Sequence, residues 1–358
     1  MPSLAPTLVC TLMLAAALHA QPSELAAIPP ATPPASPSAT PPNSSPKQRT
    51  AAGSLNSIVV TGVASDGTTR EFAAFSSADT SSVARLKDGR IALAFQGFPA
   101  DDRRDFNRAA VRFSQDEART WTNATPIVID DLDVSLAPPF DPTLVALPDG
   151  RMRLYFISYV ARDLKPGTLP TATAIYSAIS ADGVRYTFEP GMRFTVEGRV
   201  VLDAAAALHN GVFHIVVPDN GTAAEFVARR KSGKAQPGGN GYHAISKDGL
   251  VFERVDDLKL PSTSNRWWGN LLSDGGTLFF FGTGPGPWPL ASADGMQWKV
   301  AAKPIAMPGV DPAVLRGREG ELLVIATKEP LPKTTPESKP SSAPASAANA
   351  DTHMPRTE

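Results

Sequence analysis

One short phrase recurs along the chain: SQDEARTW at 114–121, SADGVRY at 180–186, SKDGLVF at 246–252 and SADGMQW at 292–298. In each, a Ser and an Asp can accept bonds from the backbone amides of their own turn. In three of the four a Gly supplies the left-handed position that closes the turn, and an aromatic residue follows that can fold back over the hairpin. The motif serines lie 66, 66 and 46 residues apart. A turn written at such a period belongs to a repeated β-unit, and four short strands per repeat describe a propeller blade.

A second set of turns supports this reading. The apolar runs IALAF (91–95), RLYFISY (153–159), VFHIVV (212–217), TLFFFG (277–282) and ELLVIAT (321–327) each follow a Gly-containing turn. The turns are Asp88-Gly89, Asp149-Gly150, Asn210-Gly211, Asp274-Gly275 with Gly276, and Glu319-Gly320. Asn-Gly and Asp-Gly between apolar runs favour tight hairpins because both residues tolerate positive φ. No long helical periodicity interrupts them. The fifth repeat stops after its second strand near Lys328, while residues 58–75 read as a strand, a Ser65-Asp66-Gly67 turn and another strand. The spacing therefore predicts an all-β, five-bladed β-propeller over 57–329. Its ring is closed by the N-terminal hairpin pairing with the C-terminal strands, which removes exposed sheet edges.

The ends differ in kind. Pro, Ala, Ser and Thr crowd residues 21–56 and 330–358, which are nearly empty of aromatics. Such segments bury too little apolar surface to repay ordering, so they read as a disordered tether and a disordered tail. Ahead of the tether, the apolar stretch Leu8–Leu18 is too short to span a bilayer and suits the core of a signal peptide over 1–20, with Ala20 before the cut. No Lys or Arg precedes that stretch, and the single cysteine, Cys10, lies inside it. The expectation is a secreted or periplasmic monomer with no membrane span and no need of disulfides. A net charge of -1 over 358 residues gives no electrostatic reason to expect nucleic acid as a partner.

The Ser-x-Asp phrase resembles the Asp-box, or BNR repeat, of the sialidase-like β-propeller superfamily, with Ala118 where the first copy would carry Gly. The stretch Phe140-Asp141-Pro142-Thr143-Leu144-Val145 resembles the blade opening of five-bladed glycoside hydrolases of families 43 and 32, and Val310-Asp311-Pro312-Ala313-Val314 repeats it. Shorter copies surround Asp79 and Asp203. Each of the four Asp residues precedes its hairpin turn by seven to nine residues. The resemblance implies carboxylates around one mouth of a central channel, the arrangement that glycoside hydrolysis uses. By position it implies Asp79 as base, Asp141 as the carboxyl that tunes the others, and the third-blade residue as proton donor. The family places Glu at the donor position, where this chain has the shorter Asp203. Glu225, in the long loop 218–240, is the second donor candidate.

The fourth blade replaces the acidic opening with Asn265-Arg266-Trp267-Trp268. Asp311, Arg266, Trp267 and Trp268 are the expected substrate-binding residues. Adjacent strand residues face opposite ways, so one Trp of the pair belongs to the core and the other can stack on a sugar. His209, His214 and His243 have no ligand-like spacing, and no transition-metal site is expected. No cofactor is called for. The acidic ring is the one place that would take Ca²⁺, although no loop carries a dedicated ligand pattern. Arg229-Arg230-Lys231 and Asp101-Asp102-Arg103-Arg104 read as solvated loops. The expected partner is carbohydrate, hydrolysed or bound at the mouth. The alternatives are a non-catalytic propeller that binds glycan or protein, an exo-sialidase without its usual arginine-bearing segment, and an envelope module displayed on its Pro-rich arms.

Overall fold

The structure is a computed structural model that describes residues 56–99, 107–160, 173–232, 240–260 and 266–328. The expected signal peptide, nearly all of the tether, the tail and Asp101–Arg104 lie outside the described residues. The described residues open with a hairpin, β1 (Ser57–Val63) and β2 (Thr69–Ser76). Blade 1 holds β3 (Ala78–Arg85), β4 (Ile91–Gly97), β5 (Arg108–Ser114) and β6 (Thr125–Pro126). A short β7 (Val128–Asp130) then crosses to blade 2, where it pairs in parallel with the outermost strand. Blade 2 continues with β8 (Phe140–Ala146), β9 (Met152–Ser158), β10 (Ala174–Ser180) and β11 (Arg185–Phe194).

Blade 3 holds β12 (Ala205–His209), β13 (Val212–Pro218), β14 (Asn240–Ser246), β15 (Glu253–Arg254) and β16 (Leu258–Lys259). Blade 4 holds β17 (Arg266–Asp274), β18 (Thr277–Thr283), β19 (Trp288–Ser292) and β20 (Lys299–Ile305). The last pair, β21 (Val310–Arg316) and β22 (Leu322–Lys328), joins the first hairpin in the order β2-β1-β22-β21. The register runs from Ser57 opposite Lys328 to Val63 opposite Leu322. The fifth blade is therefore built from both ends of the domain, as the repeat count requires.

The inner strands β3, β8, β12, β17 and β21 contact one another in that order, and β21 returns to β3. Second strands such as β4 and β9 are buried along their whole length. Both of their faces are covered, which is why they read as continuous apolar runs. The core is divided among the five joints between blades. Leu154, Phe156 and Tyr186 of blade 2 pack on Val111 and Phe113 of blade 1, and comparable clusters fill the other joints.

The repeated phrase does local work and joining work at once. In the second copy, Ser180 Oγ donates to Asp182 Oδ1 at 2.9 Å and accepts from the Gly183 amide at 2.9 Å. Asp182 Oδ1 also accepts from the amides of Val184 and Arg185. The copies at 246–251 and 292–297 repeat the pattern of amide bonds to the Asp. Those amides hold the carboxyls of Asp248 and Asp294 down at about 2. Gly249 and Gly295 then sit against the preceding blade, over Tyr155 and over His214 respectively.

One element departs from the sequence reading. The loop containing Glu225 holds a helix, α1 (Ala223–Ser232). Its N-terminus is capped by Thr222 and Glu225: Glu225 Oε2 accepts from the Thr222 amide at 2.7 Å, and Thr222 Oγ1 accepts from the Glu225 amide at 3.3 Å. This reciprocal cap stabilises a helix too short and too polar to announce itself by periodicity.

Candidate active site at the axial mouth

The inner strands of blades 1, 2, 4 and 5 share an irregularity at the same height. The register shifts between Asp79 and Ser81, between Phe140 and Thr143, between Arg266 and Gly269, and between Val310 and Ala313. Such bulges re-aim side chains at a sheet's end. Asp141, Asp203 and Asp311 take left-handed φ values of 48°, 55° and 48°. Asp is among the few non-Gly residues that tolerate this region, because its short side chain can bond locally. In blade 1 the left-handed residue is Thr80, one place beyond Asp79, so Asp79 is presented differently from the other three.

The difference shows in the bonding. Asp79 accepts from three donors: Asn56 Nδ2 at 2.8 Å, the Thr80 amide at 2.9 Å and Thr327 Oγ1 at 2.9 Å. Asp141 Oδ2 accepts one long bond, 3.4 Å, from the Asp203 amide. Among the described residues, the carboxyl groups of Asp203 and Asp311 accept no hydrogen bond, and only their backbone amides are engaged, at Asp141 Oδ2 and Thr283 Oγ1. Asp141, Asp203 and Asp311 line one cleft with Ser82, Thr143 and Asn270. Its free volume of about 10 Å³ holds roughly one water molecule.

Each of these residues is half-buried at the mouth, and the protein around its carboxyl strips most of its hydration. Desolvation is the main reason that Asp141 is pushed up to about 6, and the Asp79 charge adds to it. Asp203 rises well above the ordinary carboxylate range through desolvation, then through the charges of Asp141, Asp311 and Asp79. Asp311 rises for the same reasons, with Asp79 and Asp141 as its charged neighbours. The four groups therefore share one electrostatic environment. Among the described residues, however, no three His, Cys, Asp or Glu side chains come close enough to share a metal ion.

The other expected site residues separate. Trp267 is a core residue, 2% exposed, with its indole over Gly241 and edge-on to Phe280 at 4.7 Å. It belongs to the joint between blades 3 and 4, which corrects its assignment to substrate binding. Trp268 is half-buried, and its carbonyl accepts from Thr283 Oγ1, the atom that also accepts from the Asp311 amide. Arg266 lies half-buried on the same strand, opposite Thr283. Glu225 lies apart: its side chain is 58% exposed, and its charged neighbours are Arg199 and Arg229.

Several residues that shape the mouth were missed in the sequence. Gln96 Oε1 accepts from the Asp141 amide at 3.1 Å, Thr283 serves Asp311, and Thr327 serves Asp79. Each stands at the end of an otherwise apolar second strand and reaches the inner strand of the next blade. A lone polar residue closing an apolar run was the available signal.

No family model matches the chain, and no curated protein matches it. Among solved structures, it is similar to a protein of unknown function from Dyadobacter fermentans, with 19% identity and a TM-score of 0.43 over 69% of this chain and 74% of that one. It is also similar to an α-L-arabinofuranosidase from Lactobacillus brevis, with 14% identity and a TM-score of 0.47 over 71% and 84%. A third is a family 32 β-fructofuranosidase of Bombyx mori, with 14% identity and a TM-score of 0.46, matched over 69% of this chain and 54% of the enzyme. This chain thus spans about half of the silkworm enzyme.

Proposed function

We propose that the protein hydrolyses a glycosidic bond at the axial mouth, with its aspartates as acid and base. The observation that carries this is the divergence of environment among neighbouring carboxyls. Asp203 has no hydrogen-bond donor on its carboxyl and is held protonated to higher pH by burial and by three acidic neighbours. Asp79, whose neighbour Thr80 lines the same cleft, is gripped by three donors. Two carboxyl groups in such unlike settings suit opposite roles. Asp203 would give its proton to the leaving glycosidic oxygen, and Asp79 would take one from the attacking water. Asp141, bonded to the Asp203 amide, would raise the donor's proton affinity by its charge. Trp268 and Arg266 would contact the sugar, and Glu225 is not needed. The segment 1–20 supports a secreted or periplasmic place of work.

A second reading has its own observation. The cleft admits one water, and the backbone amides of Asp141 and Asp311 are tied to neighbouring blades, as a purely architectural role would require. On this reading the propeller binds glycan or protein without turnover. Screening the full chain on a panel of nitrophenyl glycosides, a sialoside included, separates the two. Turnover that falls about 100-fold or more in Asp203→Asn, without loss of melting temperature, supports hydrolysis. Turnover unchanged by that substitution, or absent across the panel, overturns it.

A further inference from the structure

A larger cavity, of about 230 Å³, opens between the outer strand of blade 5 and the outer half of blade 1. Its walls are apolar and include Phe95, Phe98, Pro99 and Pro126. Its polar lining includes two arginines, Arg108 and Arg112. Neither has a carboxylate within ion-pair distance among the described residues. Arg112 is half-buried, a setting in which arginines are normally paired, and Arg108 stands exposed at the rim; among the described residues neither meets a counter-charge.

Arg112 is held in place before any ligand arrives. Its guanidinium lies 4.5 Å from the Phe75 ring centroid and 5.9 Å from that of Phe95, and Nη1 donates to the Thr122 carbonyl at 2.7 Å. The opposite edge is unused: Nε is buried with no partner, and Nη2 makes no hydrogen bond among the described residues. That edge, Nε with Nη2, is the one that a carboxylate grips with two parallel bonds. Burial lowers the affinity of the group for its proton, yet a guanidinium stays charged at any physiological pH. The charge is therefore fixed, oriented by stacking and short of an acceptor.

We propose that this cavity is a binding site for a carboxylate carried on a ring, either a uronate sugar or a free cyclic acid, with Arg112 as the deep anchor and Arg108 as the rim clamp. The ring would lie against Phe95 and Phe98 while its carboxylate meets Nη2 of Arg112. The cavity shares a face of the propeller with the acidic mouth, since Gly97 on its wall pairs with Ala78, next to Asp79. The inference does not depend on hydrolysis, and it holds equally for a propeller that only binds.

Isothermal titration of the full chain tests it, with glucuronate, glucose and benzoate as probes. Glucuronate or benzoate should bind saturably, glucose should not, and added salt should weaken the binding. Arg108→Gln, an exposed rim substitution, should weaken it about tenfold, the loss of one charge-assisted bond. Arg112→Gln should weaken it further, and its melting temperature is checked in parallel because the stack on Phe75 is lost. Benzoate bound as tightly as glucuronate points to free acids, whereas a uronate oligosaccharide bound more tightly than the monosaccharide points to a glycan. No saturable binding of either acid, or equal binding by wild type and Arg108→Gln, overturns the proposal.

Discussion

Nε2 of His243 lies 3.0 Å from Nδ1 of His214, with the two rings stacked at 5.3 Å between centroids inside the joint between blades 3 and 4. His209 completes the group from β12, 6.2 Å from the His214 ring. All three are at most 2% exposed. Two rings that share a proton at this distance cannot both be charged without cost. Desolvation, then the neighbouring imidazoles, push His214 down to about 4, with Asp294 the one opposing charge, and burial brings His243 to a similar value.

The pair should make the protein sensitive to acid. In the unfolded chain an imidazole takes up its proton near 6.5, whereas in the fold it resists until about 4. Stability is therefore complete above 6.5 and is lost as pH falls through that window, by about 3 kcal/mol per ring. Urea unfolding at pH 7 and pH 4.5 measures the loss. The double variant His214→Gln, His243→Gln should flatten it, and an unchanged pH slope would show that these rings do not titrate between the two states.

Asp141 works in the opposite direction. Its raised value of about 6 means that ionising it costs the folded state free energy, fully present above that pH and absent below the unfolded value of 3.8. Asp141→Asn should accordingly be more stable than wild type at pH 8, by on the order of 2 kcal/mol, with the difference vanishing near pH 4. Thermal melts of the two proteins across that range check the sign. The same variant should be impaired in any turnover at the mouth.

Gly249 should tolerate no side chain. Its φ is +73°, and a Cβ there would overlap the Arg153 guanidinium and fall 2.7 Å from Tyr155 Oη. Gly249→Ala should cost about 3 kcal/mol or more. Gly320→Ala, at φ +89° with nothing within 4 Å, should cost only the backbone strain, about 1 kcal/mol. Equal losses in chemical denaturation would mean that the glycine does not dock the blade.

Closure of the ring also makes an expectation. A chain beginning at Ser77 leaves β22 without β1, the partner that carries Ile58 and Val60, both fully buried in the intact protein. Such a chain should aggregate, because an apolar strand edge is exposed. A peptide of residues 56–76 added in trans should restore a cooperative melt.

The architecture was legible because its signals are local. Asp88-Gly89 and Asp149-Gly150 each close a hairpin within a few residues, and the Ser180 and Asp182 side chains bond amides three residues away at most. Even the closure of the ring followed from counting hairpins. The site was legible only in part, because it depends on relations between blades. Nothing near Asp79 in the sequence reveals that Thr80 takes the left-handed position, or that Thr327 reaches across to it. Adjacent tryptophans had to diverge, but nothing next to them in the sequence shows that Trp267 is the one whose indole lies over Gly241 of the neighbouring blade. His214 and His243 looked scattered because strand register, not sequence spacing, brings them together.

Among the described strands, the fifth blade ties the first to leave the ribosome to the last. Translation must release Leu322–Lys328 before Ser57–Val63 can find its neighbour, so four blades' worth of chain is synthesised while the opening ribbon waits. Contacts so distant along the chain slow folding, because a long loop must close before they form. Clipping either terminal ribbon would therefore be felt by the whole ring, not by one blade.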